Sequence, residues 1–344
     1  MFRAFRAKKI IHWGLYSLLI RNSFAGNGRM LRQLGKTDLR INAIGLGLWP
    51  IAGMTSLEVS EADGLATIQA AVDAGVNFFD TAYCYGVDGI SERLLGQVAE
   101  RHRDRMIIAT KGGVHWDARL DRCNDASPRR LEFELDESLR RMKLTSVDLL
   151  YLHSPDLVTP IVESAEAMAR FQAAGKARCI GVSNVNLEQL QAFHAVCQVA
   201  AVQVKYNMLQ REIEKEIVPW CIENNVSIVA YWPLMKGLLA GKLRRGHRFD
   251  PADKRLTYPM FAGRQWEYNQ KLLDRLDSVA QRAGVPLLTL VLGWTLAQPG
   301  ITAVLCGAKR PWQIQESAAA LDWIPSPEVL AEVGDAICER EALK

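Results

Sequence analysis

Four side chains able to hold or move a proton stand at or just beyond the ends of apolar runs: Asp80 in NFFDTA, Tyr85 five residues on, Lys111 closing MIIATK and His153 closing DLLYLH. An ammonium close to a phenol favours the phenolate and lowers the tyrosine pKa toward neutrality, so Tyr85 reads as a general acid backed by Lys111. Asp80 would hold Lys111 charged and oriented, and His153 would hydrogen-bond a carbonyl oxygen. Later runs end in Asn184, in Gln203 with Asn207, and in Tyr231, and the eighth ends in Gly307 and Ala308. A lysine at a strand end also suits Schiff-base formation, which leaves a barrel lyase as an alternative; the adjacent Asp80 argues for a charged lysine. No nucleophile-and-base pair of the serine-hydrolase kind accompanies them. Taken singly, Asp80 reads as a helix cap, Lys111 as a surface lysine and His153 as a satisfied structural histidine. The chemistry requires that they meet, and so depends on the elements that carry them.

From residue 41 onward, short apolar runs alternate with segments of helical periodicity. The runs are INAIGLGLW, NFFDTA, MIIATK, DLLYLH, ARCIGVSN, AVQVKYN, VSIVAYW and TAVLCGA. Ser127-Pro128 supplies an N-cap and a first helical residue, after which Leu131, Leu135, Leu139 and Met142 form one apolar stripe. Another helix, over 163–174, stops at Gly175. This alternation without a Pro-, Gly- or Ser-rich linker predicts an α/β fold, a closed (β/α)8 TIM barrel, with an open doubly wound sheet as the alternative. MLRQLGKTDLR predicts an N-terminal β-hairpin closing the barrel's bottom, and residues 236–286 an insertion after strand 7 with a helix near 268–283. Active sites of such barrels lie at the C-terminal strand ends, where the polar residues above fall.

The chain has 344 residues, 49% hydrophobic and 23% charged, with a net charge of +4. That charge, without a basic run interleaved with aromatics, gives no nucleic-acid groove. Seven scattered cysteines read as free thiols of a reducing, cytoplasmic setting, and neither they nor the histidines have metal-ligand spacing. Residues 1–29 carry six Lys and Arg and no acid; this N-terminal extension reads as a targeting segment for export or an organelle, a disordered stretch, or an upstream start ahead of Met30. No later run approaches the roughly 20 apolar residues that span a bilayer. The oligomeric state is left open.

FDTAYCYG, ATKGG, LLYLHSPD, KARCIGVSN, VQVKYN and YWPLMKGLL, in this order, resemble the aldo-keto reductase family, over a stretch from about Leu31 to at least Ala320. The resemblance implies a (β/α)8 barrel over 30–344 that binds NADPH, less often NADH, without a Rossmann domain. It implies a catalytic set of Asp80, Tyr85, Lys111 and His153. It places Ser183, Asn184 and Gln203 at the nicotinamide carboxamide, Tyr231 against the nicotinamide ring and Leu234 beside the cofactor. LCGAKRPWQIQES corresponds to the adenosine end, giving Gly307, Lys309, Arg310, Gln313, Glu316 and Ser317 as contacts; a lysine or arginine there suits a 2′-phosphate. Two positions depart from the family: Trp232 where Ser usually follows the stacking tyrosine, and Ser317 where Asn is usual. Trp49, Tyr83, His115 and Trp116 lie just beyond strand ends and are expected to line a pocket for a small carbonyl or alcohol. The implied activity is reversible reduction of aldehydes or ketones by hydride transfer. Potassium-channel β subunits also resemble this family, and a cofactor-binding regulatory subunit is the alternative.

Overall fold

Runs that are apolar at both parities must be buried on both faces, which parallel strands under a layer of helices achieve. The computed structural model describes residues 22–24, 30–54, 59–251 and 253–343. Except for Asn22–Phe24, the expected extension 1–29 lies outside the described residues.

Strands β1 (Asn22–Phe24), β2 (Met30–Gln33) and β3 (Arg40–Asn42) form an antiparallel sheet, in which β2–β3 is the expected hairpin. The barrel follows. Its strands and helices begin β4 (Ile44–Gly47), α1 (Glu61–Asp73), β5 (Phe78–Asp80), α2 (Ile90–His102) and β6 (Ile107–Gly112). A small antiparallel ribbon, β7 (Val114–Trp116) with β8 (Arg122–Asn124), then rises from the barrel mouth. The sequence had not suggested it. Next come α3 (Pro128–Met142), β9 (Val147–Leu152), α4 (Ile161–Ala173), β10 (Ala177–Ser183), α5 (Leu187–Val196), β11 (Val199–Lys205), α6 (Ile217–Asn224) and β12 (Ser227–Tyr231). The expected insertion holds short 3-10 turns and α7 (Gly263–Arg282), whose start is five residues earlier than residue 268. The chain ends with α8 (Leu287–Leu296), β13 (Ile301–Gly307), α9 (Pro311–Ala319) and α10 (Pro327–Glu341). The barrel closes in the order β4-β5-β6-β9-β10-β11-β12-β13, every pairing parallel. Each of the eight expected runs is one of these strands.

Alternation along the strands separates two cores. Phe78, Ala109, Leu149, Tyr151, Ala201, Val229 and Ala303 fill the barrel interior, together with Leu34, Leu39 and Ile41 of the hairpin. Their neighbours Phe79, Ile108, Leu150, Val202, Ile228 and Val304 face outward and pack with the helices. Each such fully buried side chain contributes about 1.5–3 kcal/mol of hydrophobic stabilisation. Interior space is tight: a Cβ on Gly181 would lie 2.5 Å from the Tyr151 ring and 2.8 Å from the Ala201 carbonyl oxygen. Ser127 caps α3 with Pro128 in its first turn, and Leu131, Leu135, Leu139 and Met142 are buried as their spacing requires.

The hairpin seats on the N-terminal strand ends. The Gly35 N–H donates to Ser227 Oγ, and the Arg32 guanidinium donates to the carbonyls of Leu296, Ile301 and Thr302. Burial lowers the Arg32 pKa to about 10. No single helix among the described residues is long and apolar enough to cross a membrane.

Candidate active site

Parity that points Phe78, Ala109, Tyr151, Ala201 and Val229 inward also points Asp80, Lys111, His153, Gln203 and Tyr231 into the barrel mouth. There Lys111 Nζ lies 2.5 Å from Asp80 Oδ1, 2.6 Å from the Thr81 carbonyl oxygen and 3.3 Å from Tyr85 Oη. Gln203 Nε2 donates to the other carboxylate oxygen, Asp80 Oδ2, at 2.7 Å. The ammonium also sits 4.8 Å from the Tyr85 ring centroid, and the rings of Tyr85 and His153 meet edge-on at 5.8 Å. The four proton-handling side chains expected from the sequence are thus one buried cluster.

Electrostatics in this cluster differ from the expectation in one respect. Burial lifts the Tyr85 phenol well above its ordinary pKa, and the Asp80 carboxylate lifts it further. Even with the Lys111 ammonium at 3.3 Å, burial is the largest influence on the phenol. Tyr85 therefore holds its proton firmly. Burial lowers the Lys111 pKa, with Asp80 opposing. His153 is driven well below its ordinary value by burial, then by the charges of Lys111 and Arg122, so its imidazole is neutral. Cys84 Sγ lies 3.6 Å from His153 Nδ1. Burial raises that thiol to about 11. A protonated thiol facing Nδ1 assigns the ring proton to Nε2, leaving a donor for a substrate oxygen.

The residues expected at the nicotinamide end also meet. Tyr231 Oη donates to Asn184 Oδ1 at 2.9 Å, while Asn184 Nδ2 donates to the His153 carbonyl oxygen at 2.8 Å. Asn184 takes a left-handed backbone, φ 55°, which asparagine tolerates better than most residues. Ser183 and Gln203 are side by side in the β10–β11 register. Leu234 opens the turn after β12, packed against the core. Trp232, in place of the family's usual Ser, has φ 59°; Lys236 sits 3.8 Å from its ring and 4.2 Å from that of Tyr258.

At the adenosine end the expected residues divide. Gln313 folds back so that Oε1 accepts from the N–H groups of Lys309 and Arg310 at 2.6 and 3.2 Å. Arg310 pairs with Asp63 at 3.2 Å, and Glu316 with Lys242 at 2.7 Å. Ser317 is buried, its hydroxyl donating to the Gln313 carbonyl. Gly307 closes β13, where a Cβ would strike Pro50 at 2.7 Å. Lys309 differs from these: burial and then the nearby charge of Arg255 lower its pKa, the Asp253 carboxylate opposes this, and Arg310 adds to the lowering. Arg244 and Arg245, in the insertion after β12, are paired with Asp277 and Asp274.

Of the four expected pocket residues, two reach the cluster. Trp49 packs edge-on against Tyr85 at 5.0 Å, and Trp116 Nε1 donates to the Cys84 carbonyl at 2.9 Å. Tyr83 turns instead toward α3, with the Arg141 guanidinium 4.3 Å from its ring and Phe133 at 6.4 Å. His115 precedes Trp116 on β7 and so takes the opposite face of the ribbon, its Nδ1 3.8 Å from Glu134 Oε1. Cys84 and Arg122 were not singled out from the sequence. The double aromatic in TAYCYG hints at Cys84, whereas nothing local marks Arg122, which depends on the ribbon.

A family model described as "Aldo/keto reductase family" matches residues 43–337. The chain belongs to that family. Among curated relatives, the aldo-keto reductase YhdN of Bacillus subtilis (strain 168) is 34% identical over 300 residues, 86% of this chain and 90% of that protein. An NADH-specific methylglyoxal reductase of Escherichia coli (strain K12) is 30% identical over 84% of this chain and 92% of its own. A probable voltage-gated potassium channel subunit β of Oryza sativa subsp. japonica is 31% identical over 88% and 94%. Among solved structures, the glycerol dehydrogenase of Gluconobacter oxydans superposes with a TM-score of 0.84 at 31% identity, over 90% of this chain and 95% of that one. Aldo-keto reductases are oxidoreductases that use NAD(P)H.

Proposed function

We propose that this aldo-keto reductase reduces aldehydes or ketones with NADPH, and that Tyr85 donates the proton. The observation that carries the reading is the buried Asp80–Lys111–Tyr85 chain at 2.5 and 3.3 Å. Two features fit a nicotinamide dinucleotide: the Tyr231 ring, anchored through Asn184 beside Ser183 and Gln203, and the half-buried Lys309 ammonium, near the further cations Arg255 and Arg310. When bound, the cofactor supplies a hydride to the carbonyl carbon. Neutral His153 hydrogen-bonds the carbonyl oxygen through Nε2 and holds it toward Tyr85. Because burial keeps the phenol protonated, its O–H is available to the oxygen as negative charge builds there. Lys111 then faces the phenolate that remains, and Asp80 with Gln203 keeps Lys111 in register. Trp49 and Trp116 give the substrate an apolar wall. In the reverse direction the same groups take the proton from an alcohol.

Lys309 favours the 2′-phosphate of NADPH, since a half-buried cation crowded by the like charges of Arg255 and Arg310 gains from an anion. The reaction is assigned to the cytoplasm, where free thiols such as the seven here stay reduced. A purely regulatory subunit, as the similarity to a channel subunit allows, would need the cofactor cleft but no proton donor. A Schiff base at Lys111 would have to break its contacts to Asp80 and Thr81.

The test is consumption of NADPH, and separately NADH, with a panel of aldehydes and ketones, repeated with Tyr85→Phe. Turnover should fall about 10²–10⁴-fold in the variant while cofactor affinity is retained. Wild-type turnover in a variant that binds cofactor overturns the assignment of Tyr85. Tight cofactor binding by the unaltered protein without turnover of any carbonyl supports the regulatory reading. Borohydride trapping of a carbonyl substrate on Lys111 supports the lyase.

A further inference from the structure

The β7–β8 ribbon brings a cation to a pocket whose other charges, Lys111 and Asp80, are paired with each other. Trp116 and Arg122 are directly paired across it. The Arg122 guanidinium lies over the Trp49 ring, 5.1 Å from its centroid, and donates to Cys84 Sγ at 3.6 Å. Trp49 in turn meets Tyr85 at 5.0 Å. Two contacts therefore link this charge to the Tyr85 ring, and its field is felt at Tyr85, Cys84 and His153 alike. No carboxylate of the described residues pairs with Arg122, in contrast to Arg130, Arg141, Arg244 and Arg245, each held by an acid. A guanidinium lying over an indole, with one nitrogen turned to Cys84, still offers its other N–H groups to a planar oxyanion, which a guanidinium binds in a two-pronged fashion. Holding such a cation beside a site that gathers negative charge on oxygen suits a substrate that brings its own anion.

We propose that Arg122 is a specificity-determining residue that binds a carboxylate or phosphate on the substrate, so that the preferred substrates are anionic carbonyl compounds. This rests on the carbonyl-reductase reading above. Trp49 and Trp116 hold the substrate's carbon chain between the anion at Arg122 and the carbonyl at Tyr85 and His153.

The test compares matched pairs: 4-oxobutanoate against butanal for a carboxylate, and glycolaldehyde phosphate against glycolaldehyde for a phosphate. In the unaltered protein, kcat/KM should be about tenfold or more higher for at least one anionic member, and that advantage should shrink as salt rises. Arg122→Met should lower the anionic-to-neutral ratio of kcat/KM about tenfold, the loss falling in KM, and Arg122→Lys should restore part of it. An unchanged ratio in Arg122→Met overturns the proposal, as does equal kcat/KM for charged and neutral members in the unaltered protein. Calorimetric titration of 4-oxobutanoate and glycolaldehyde phosphate into protein loaded with oxidised cofactor gives a reading without turnover. Binding of either that is lost in Arg122→Met supports anion recognition even if no carbonyl is reduced, in which case only the reductase reading fails. Equal binding by both proteins, or by neither, overturns it.

Discussion

The Lys111 ammonium stands 3.3 Å from the Tyr85 hydroxyl and 2.5 Å from Asp80, all three groups buried. Burial, reinforced by the Asp80 carboxylate, makes a phenol that keeps its proton rather than one poised to lose it. Removing one partner of such a buried pair leaves the other uncompensated. Lys111→Met should therefore destabilise the fold by about 3–5 kcal/mol, read as a lower urea midpoint. Adding Asp80→Asn to that variant should recover part of the loss while activity stays absent. Full stability in the single variant would contradict the burial argument.

Gln203 reaches from β11 to Asp80 Oδ2 at 2.7 Å, an amide bond to a carboxylate inside the barrel mouth. Gln203→Leu should cost about 1–3 kcal/mol of stability, because a charged acceptor loses its donor without water to replace it. Turnover should fall with it, since Asp80 then holds Lys111 less firmly. Parallel urea melts and rate measurements check both effects.

Lys309 provides the cofactor discrimination test. Lys309→Met should weaken NADPH binding by about ten- to a hundredfold while changing NADH affinity by no more than about threefold. Equal losses for the two cofactors in fluorescence titrations would place Lys309 away from the 2′-phosphate.

Glu134 gives a pH-dependent signature in stability. Its side chain is buried, bonded to the Gly113 N–H at 2.6 Å and to Arg130 at 2.7 Å, and burial raises its pKa to about 7 from an ordinary 4.5. The folded protein therefore binds this proton more tightly than the unfolded chain does. The stability so gained is fully present below about pH 4.5 and is lost as pH rises through 7. Glu134→Gln keeps an acceptor oxygen and removes the titration. Relative to the unaltered protein, the variant should gain about 1–3 kcal/mol in going from pH 5 to pH 8, measured by urea unfolding at both pH values. A difference that does not move with pH would contradict the raised pKa.

Strand parity explains why so much of the site could be read in advance. Once Phe78, Ala109 and Tyr151 are recognised as inward, Asp80, Lys111 and His153 must follow two residues later, and the motifs carry that phase within a few letters. Tyr83 and His115 escaped the same logic because they lie past the strand ends, where phase is lost. Tyr83 is drawn outward by Arg141, and His115 is fixed by a three-residue ribbon strand too short and too polar to stand out. Arg122 could not be foreseen, since it reaches the mouth only through its pairing with Trp116 across that ribbon. The direction of the Tyr85 shift was missed for another reason: it depends first on how deeply the phenol is buried, and residue types alone do not contain depth.

The hairpin anchored by Arg32 gives the barrel one sealed end and one open one. Lys36 is exposed in its turn, on the face opposite Tyr85. Coupling the enzyme to a bead or electrode selectively through that amine would orient every molecule with its mouth toward solution. The sealed floor, rather than the open mouth, is thus the natural handle for immobilisation.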